Sequence, residues 1–367
     1  MKDEKKFIIK DIRDLYILKS SEERYDEITI RAEKLKYKGV IPFALKYAYW
    51  SLTSMGTIKI LDSSHSTYGF QKNKMGFWQV RYICAKVLGD FCTFIKVDNS
   101  RGEIVLKKNK EYEEHNGISF GIVFSGIDSD EKLLFQAIES IVKIDKAKAF
   151  PYEVIICGPS EYDKNRLVQL YGENDNIKYL PFDFEANENR LMICQKKNYI
   201  FTKSRYSIVS ISHTRIKFSN DFVAKLKNRY FDFCTPAVYY SENNFNYHYL
   251  DFLLVGGYDD IFALPKLLPL GGYKMSSNYL FKLKRRFPAI DGGLNIFNKH
   301  IIQTPPYDDK IAWGEAEDLD LSARLFNQGI LIDYMYDIEC FSLTNKLWNT
   351  DKTLKNLYIK LRQYFEI

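Results

Sequence analysis

The chain has 367 residues and a formal net charge of +6, from 53 Lys and Arg against 47 Asp and Glu. Hydrophobic residues make up 46% and aromatics 16%, which excludes a disordered chain and allows two domains of ordinary size. So modest a positive charge, with no basic block long enough for a tail, does not suggest a nucleic-acid partner. Cys84, Cys92, Cys157, Cys194, Cys234 and Cys340 form no C-x-x-C pair. That argues against a zinc site or a disulfide framework and fits a reducing compartment. Met1 to Lys6 are charged with no apolar signal region after them, and no run approaches the ~20 apolar residues needed to span a bilayer. A cytoplasmic protein is expected.

In chain order, Tyr25 to Ile30 reads as a strand, Ile41 to Ser54 as a helix and Gly56 to Asp62 as a strand. Phe77 to Leu88 reads as an apolar helix, and Cys92 to Val97 with Glu103 to Leu106 as a hairpin. This order resembles the back half of a Rossmann-type methyltransferase. The glycine-rich half that would hold the methyl donor is missing, so the resemblance implies no methyl transfer. A scaffold, a docking surface or part of an acceptor cleft is expected, and an unrelated small α/β domain is the alternative. The charged stretch Lys107 to Asn116 then marks a boundary: residues 1–110 form one expected domain and 117–345 a second, followed by an amphipathic helix over 346–367.

The second segment opens with the apolar strand Ile118 to Ser125. Asp128 is expected to cap the next helix, with Glu131 closing a capping box, and Leu133, Leu134, Ala137, Ile138 and Ile141 form its apolar stripe. Tyr152 to Cys157, Ile177 to Leu180 and Ser207 to Ile211 read as further strands, with a helix around Asn187 to Ser204 before the last. This βαβαβ rhythm predicts a parallel sheet with helices on its faces, whose ligands bind beyond the carboxyl ends of the strands. Ser125, Gly158, Asp183 and Ser212 to Arg215 stand at those ends.

Near the C-terminus, Glu315, Glu317, Asp318 and Asp320 place four carboxylates within six residues, after Trp313-Gly314. Charges this dense repel one another. A helix N-terminus offsets part of the cost, and Arg324 lies four residues beyond Asp320 on the same face. That leaves Glu317 and Asp318 at a loop-to-helix junction, where a carboxylate pair can act as a general base or grip a sugar hydroxyl.

From about residue 117 to 345 the sequence resembles a family 2 glycosyltransferase of the GT-A fold. The first two strands, Lys197-Asn198, the Gly292-Gly293 turn and the block from Trp313 to Arg324 occur in that family's order. The resemblance implies a Rossmann-like α/β fold, with a mostly parallel sheet covered by helices on both faces, preceded here by the smaller α/β domain. It further implies transfer of a sugar from a nucleotide-sugar, expected to be UDP-linked, to an acceptor hydroxyl with inversion. Asp318 matches the base, and Glu317 would orient it or bind the acceptor. Ser125, Asp183, Lys197, Asn198, His213 and Arg215 would lie near the donor. Gly292, Gly293, Trp313, Glu315 and Arg285 would lie near the acceptor.

The chain departs from the family where a D-x-D motif holds Mg²⁺ or Mn²⁺, since Ser212-His213-Thr214 carries no carboxylate. Three readings stay open: His213 ligates a metal; no metal binds and Arg215 with nearby lysines offsets the diphosphate charge; or His213 only packs and hydrogen-bonds at a strand end. Lys282, Lys284, Arg285 and Arg286 precede the glycine turn and would suit an anionic acceptor, such as a lipid-pyrophosphate or an acidic glycan of a bacterial surface. The C-terminal stretch is expected to pack on the protein or to lie on an anionic membrane as a peripheral contact. Two other functions stay open: a non-catalytic module that binds a glycan or a partner enzyme, and transfer of another nucleotide-activated group.

Overall fold

The computed structural model describes residues 4–35, 40–62, 77–145, 150–172, 175–183, 193–242, 245–248, 252–255, 287–312 and 315–344. Arg285, Trp313 and the helix expected over 346–367 lie outside them.

The first sheet comprises β1 (Lys6–Ile9), β2 (Tyr25–Arg31), β3 (Leu52–Leu61), β4 (Cys92–Asp98) and β5 (Glu103–Lys108), in the order β1-β2-β3-β5-β4. The helices α1 (Ile12–Ser20), α2 (Ile41–Trp50) and α3 (Phe77–Leu88) accompany it. The first two strand pairs are parallel, and β5 pairs antiparallel with both β3 and β4. The second helix ends at Trp50, not Ser54, because Leu52 is already paired with Tyr25 in the neighbouring strand. No element was read from the sequence before Tyr25. There, α1 starts on a capping box made by Asp11 and Asp14, with Asp where the usual pattern has Glu or Gln.

The second sheet follows with β6 (Ile118–Val123), α4 (Asp128–Asp145), β7 (Tyr152–Gly158), α5 (Asn165–Tyr171), β8 (Ile177–Pro181), α6 (Ile193–Lys203), β9 (Ile208–His213) and β10 (Ile216–Phe218). Then come α7 (Phe222–Leu226), β11 (Phe233–Glu242), β12 (Phe245–His248), β13 (Phe252–Val255), β14 (Phe287–Ile290), β15 (Leu294–Asn298), α8 (Glu317–Asn327) and β16 (Ile332–Ser342). The strand order is β10-β16-β11-β15-β9-β6-β7-β8, with β12 beside β11, while β13 and β14 form a separate ribbon. From β9 to β8 every pairing is parallel, as the βαβ rhythm predicts. Beyond β9 the sheet is mixed: β15 runs antiparallel to both β9 and β11, and β11 runs parallel to β16.

This sheet is buried on both faces. Along β7, Val154 and Ile156 pack into the core beneath α4, while Ile155 and Cys157 pack with Ile200 and Phe201 of α6. That is the two-residue alternation of a pleated strand. The expected helical stripe of α4 is buried at Leu134, Ala137, Ile138 and Ile141. On the other face, a Cβ at Gly121 would sit 2.2 Å from Cγ2 of Ile200, so the bare glycine lets α6 close against β6.

The two sheets are locked together by polar contacts as well as apolar ones. Lys46 of α2 and Asp232 pair at 2.9 Å, both fully buried. Lys19 donates to Asp333 at 2.8 Å, and the Tyr47 hydroxyl donates to the same oxygen at 2.9 Å. Leu331 belongs to the apolar cluster of the first sheet. Gly329, at φ +82°, lies so close to α3 that a Cβ would fall 2.2 Å from the Lys86 carbonyl oxygen.

Candidate active site

Two loops meet at the carboxyl ends of the parallel strands. One is the turn Asp291-Gly292-Gly293 between β14 and β15. The other is the start of α8, where Ala316 adopts a left-handed backbone, φ 60° and ψ 44°. Left-handed geometry costs an alanine on the order of 1–2 kcal/mol. Its effect is to turn the chain sharply, so that the first two helical residues, Glu317 and Asp318, face the glycine turn.

The acids are then held in place. Gly292 N–H donates to Asp318 Oδ2 at 3.3 Å, and Leu319 N–H donates to Asp318 Oδ1 at 2.8 Å. Lys197, wholly buried on α6, donates to the Gly292 carbonyl at 3.0 Å and stands 3.5 Å from Glu317 Oε1 and 4.9 Å from the centroid of the Tyr307 ring. Gly293 N–H donates to Asp291 Oδ1 at 2.8 Å. A side chain at either glycine would crowd the ends of charged neighbours. A Cβ at Gly292 would lie 2.8 Å from Glu317 Oε1, and one at Gly293 would lie 2.8 Å from Arg215 Nη2 and from Asp291 Oδ1.

Three carboxylates, Asp291, Glu317 and Asp318, thus share a place with two cations, Lys197 and Arg215. Burial pushes the Asp318 carboxyl up to about 6, and the charges of Asp291 and Glu317 push the same way against the Leu319 N–H and Lys197. Asp291 is also raised, chiefly by burial, and Arg215 opposes the shift. The cluster connects directly to the strand ends, because His213 N–H at the end of β9 donates to the Gly293 carbonyl at 3.1 Å.

Beside it, a pocket of about 200 Å³ opens at the ends of β6 and β9. Ser125, Asp130, Lys196, His213, Thr214, Arg215 and Thr344 supply its polar lining, beside Val123, Phe124, Leu133 and Ile193. Asp130 in the first turn of α4 accepts from the Ser125 N–H at 3.1 Å, from the Ser125 hydroxyl at 2.6 Å and from the Thr214 hydroxyl. Lys196 donates to the Phe124 carbonyl at 3.1 Å. Arg215 Nη1 lies 2.8 Å from His213 Nδ1.

The sequence-derived residues therefore divide. Ser125, His213 and Arg215 line the strand-end pocket; Lys197, Glu317, Asp318, Gly292 and Gly293 form the acidic cluster. Asn198 instead fixes a loop: its amide donates to the Tyr307 carbonyl at 2.8 Å and to Asp309 at 2.6 Å, and its oxygen accepts from Tyr307 N–H. Asp183, just past β8, is exposed and accepts from the Ser160 N–H; the Ser160 side chain, and then that N–H, hold its carboxyl below the usual range. Glu315 is exposed and accepts from the Ala312 N–H at 2.9 Å. Asp320 pairs with Arg324 at 2.7 Å, as their spacing predicts. Glu131 does not close a capping box; it binds the Tyr162 hydroxyl and Arg166. Sequence reading missed Lys196, Asp130 as a pocket wall, and Asp291. Only Asp291 had a visible signal, its place directly before the glycine pair.

A divalent cation does not suit this donor set. A guanidinium has only donors, so the contact with Arg215 makes His213 Nδ1 an acceptor, and the neutral ring then carries its proton on Nε2. Neither ring nitrogen keeps a lone pair for a metal. Among the described residues no group of three or more His, Cys, Asp or Glu side chains is arranged to hold an ion.

No protein-family model matches the chain, and no curated protein matches it either. Similar solved structures include the mannosyltransferase PcManGT from Pyrobaculum calidifontis in complex with GDP-Man and Mn²⁺, at 10% identity and TM-score 0.39, covering 64% of this chain and 59% of that one. TarS of S. aureus is similar at 10% identity and TM-score 0.41, covering 62% and 60%. GalNAc-T7 with UDP, GalNAc and Mn²⁺ is similar at 14% identity and TM-score 0.41, covering 67% and 48%. This chain thus spans about three fifths of the first two chains and half of the third.

Proposed function

We propose that this chain is a GT-A glycosyltransferase whose second sheet binds a nucleotide-sugar and whose α8 supplies the base. The observation that carries the proposal is the joining of Asp318 to the strand ends through the glycine turn. A partly buried carboxyl raised to about 6 sits one loop away from a pocket bordered by Lys196, His213 and Arg215, at the position where parallel sheets bind ligands. A purely structural acid gains nothing from a site that destabilises its charged form, whereas a general base gains a pKa near its working pH.

In the proposed reaction the acceptor hydroxyl oxygen attacks the anomeric carbon from the side opposite the leaving group. The new C–O bond forms as the bond to the diphosphate breaks, the hydroxyl proton passes to Asp318, and the nucleoside diphosphate leaves with the bonding pair. The anomeric configuration inverts. Glu317, steadied by Lys197, orients the acceptor. The donor is taken to be UDP-linked and the acceptor a glycan or lipid-linked glycan of a bacterial surface, both on the sequence resemblance. Trp313 and Arg285 are proposed acceptor contacts on the same ground. No described helix is long and apolar enough to cross a membrane. Contact with a membrane surface through residues 346–367 belongs to the proposal, as does the division at residues 110 and 117.

The test is a thermal-shift plate of nucleotides and nucleotide-sugars, followed by transfer to glycan acceptors. Ligands of the folded state raise the melting temperature. At least one nucleoside diphosphate is expected to do so. A plate on which nucleotides and nucleotide-sugars all leave the melt unmoved would overturn the proposal.

A further inference from the structure

We infer that Lys196 and Arg215 together take the place of a divalent cation, holding the donor's diphosphate in the strand-end pocket without metal. The inference rests on the functional reading above and assigns the leaving-group site within it.

The pocket's charge points this way. Its carboxylate, Asp130, has about four acceptor positions, and three are taken by the Ser125 N–H, the Ser125 hydroxyl and the Thr214 hydroxyl. That carboxylate is built into the wall. His213 lends its acceptor nitrogen to Arg215. Two cations border the space, which is otherwise lined largely by apolar side chains: Lys196, 3% exposed, and Arg215, 5% exposed. Burial lowers the pKa of Lys196, and Cys157 with the charges of Asp183, Glu161 and Asp130 offsets only part of that.

An ammonium and a guanidinium together carry the same charge as one Mg²⁺ or Mn²⁺. They can offset the negative charge that grows on the diphosphate as the glycosidic bond breaks. A guanidinium also matches the planar fork of phosphate oxygens. The position of Lys196 suits this task, since its bond to the Phe124 carbonyl fixes it at the end of β6, where the diphosphate of a nucleotide bound to a parallel sheet lies.

The experiment is calorimetric titration of the full chain with UDP and with GDP, once in EDTA and once in excess Mn²⁺. It is repeated for Lys196→Met and Lys196→Arg, with circular dichroism to check folding. Equal affinity in the two media is expected, with about a tenfold or greater loss in Lys196→Met and recovery in Lys196→Arg. Binding that requires Mn²⁺, or wild-type affinity in a folded Lys196→Met protein, would overturn the inference and leave the functional reading standing. Should Lys196→Met not fold, Lys196→Gln takes its place in the titrations, and wild-type affinity in that variant overturns the inference equally. No binding of either nucleotide in either medium would sink the functional reading and the inference with it.

Discussion

Replacing Asp318 by Asn should make the protein more stable at neutral pH while removing its turnover. A carboxyl held at about 6 in the fold, against an ordinary value of 3.8, is harder to ionise by roughly two powers of ten. At 1.36 kcal/mol for each, the ionised form costs the fold up to about 3 kcal/mol. The sign follows from the raised value. The protonated side chain costs nothing, so below pH ~4 the penalty is absent, and it is fully present once the pH has risen through about 6. Asparagine never ionises. The difference in melting temperature between Asp318→Asn and the parent should therefore grow in the variant's favour from pH ~4 to ~7, by up to about 4 °C. The assay is a series of thermal melts of both proteins in matched buffers. A difference that stays flat across that interval, or moves the other way, would refute the claim that Asp318 is held in a desolvated, acid-rich site. In parallel, kcat should fall by about 10²-fold or more, because that is the contribution of a positioned base. A loss of only severalfold would remove Asp318 from that role.

Activity of the parent should rise with pH along a limb centred near the Asp318 value of about 6, and kcat/KM measured across that range shows whether it does. Gly292→Ala places a methyl group 2.8 Å from Glu317 Oε1 and 3.3 Å from Lys197 Nζ, so a loss of about 1–3 kcal/mol in denaturant melts and a drop in turnover are expected. Ala316→Gly relieves the left-handed backbone and should raise stability by about 1 kcal/mol, read from the same melts. Lys46→Met strands the Asp232 carboxylate in the interior and should cost about 3–5 kcal/mol, whereas adding Asp232→Leu should restore much of it. A double variant no better than Lys46→Met would show that the two charges do not depend on each other.

The parallel half of the second sheet was legible because its strands are continuous apolar runs. The runs from Ile118 and Tyr152 leave few other foldings once buried on both faces. The mixed half was not read strand by strand. β11, β15 and β16 carry no periodicity of their own that reveals direction, and β15 reaches its place only through pairing with β9. In the site, the acidic helix start was readable from charge density alone. Which of two adjacent lysines serves it was not. Successive residues of a helix point about 100° apart, so Lys197 reaches Glu317 while Lys196 faces the end of β6, and both are simply Lys in the sequence. Asn198 is expected near the donor because Lys197-Asn198 stands where the resembled family has its Lys-Asn pair. In the structure its side chain fastens the loop at Tyr307, a partner 109 residues away that no local pattern discloses.

The buried pairing of Lys46 with Asp232, together with the grip of Lys19 and Tyr47 on Asp333, has a practical corollary for anyone trimming this protein. Cutting the chain near residue 110 to isolate the second sheet would bare two interior carboxylates and the apolar side chain of Leu331 at once. Such a fragment should precipitate or be degraded, unless those positions are first rewritten as neutral, water-compatible residues.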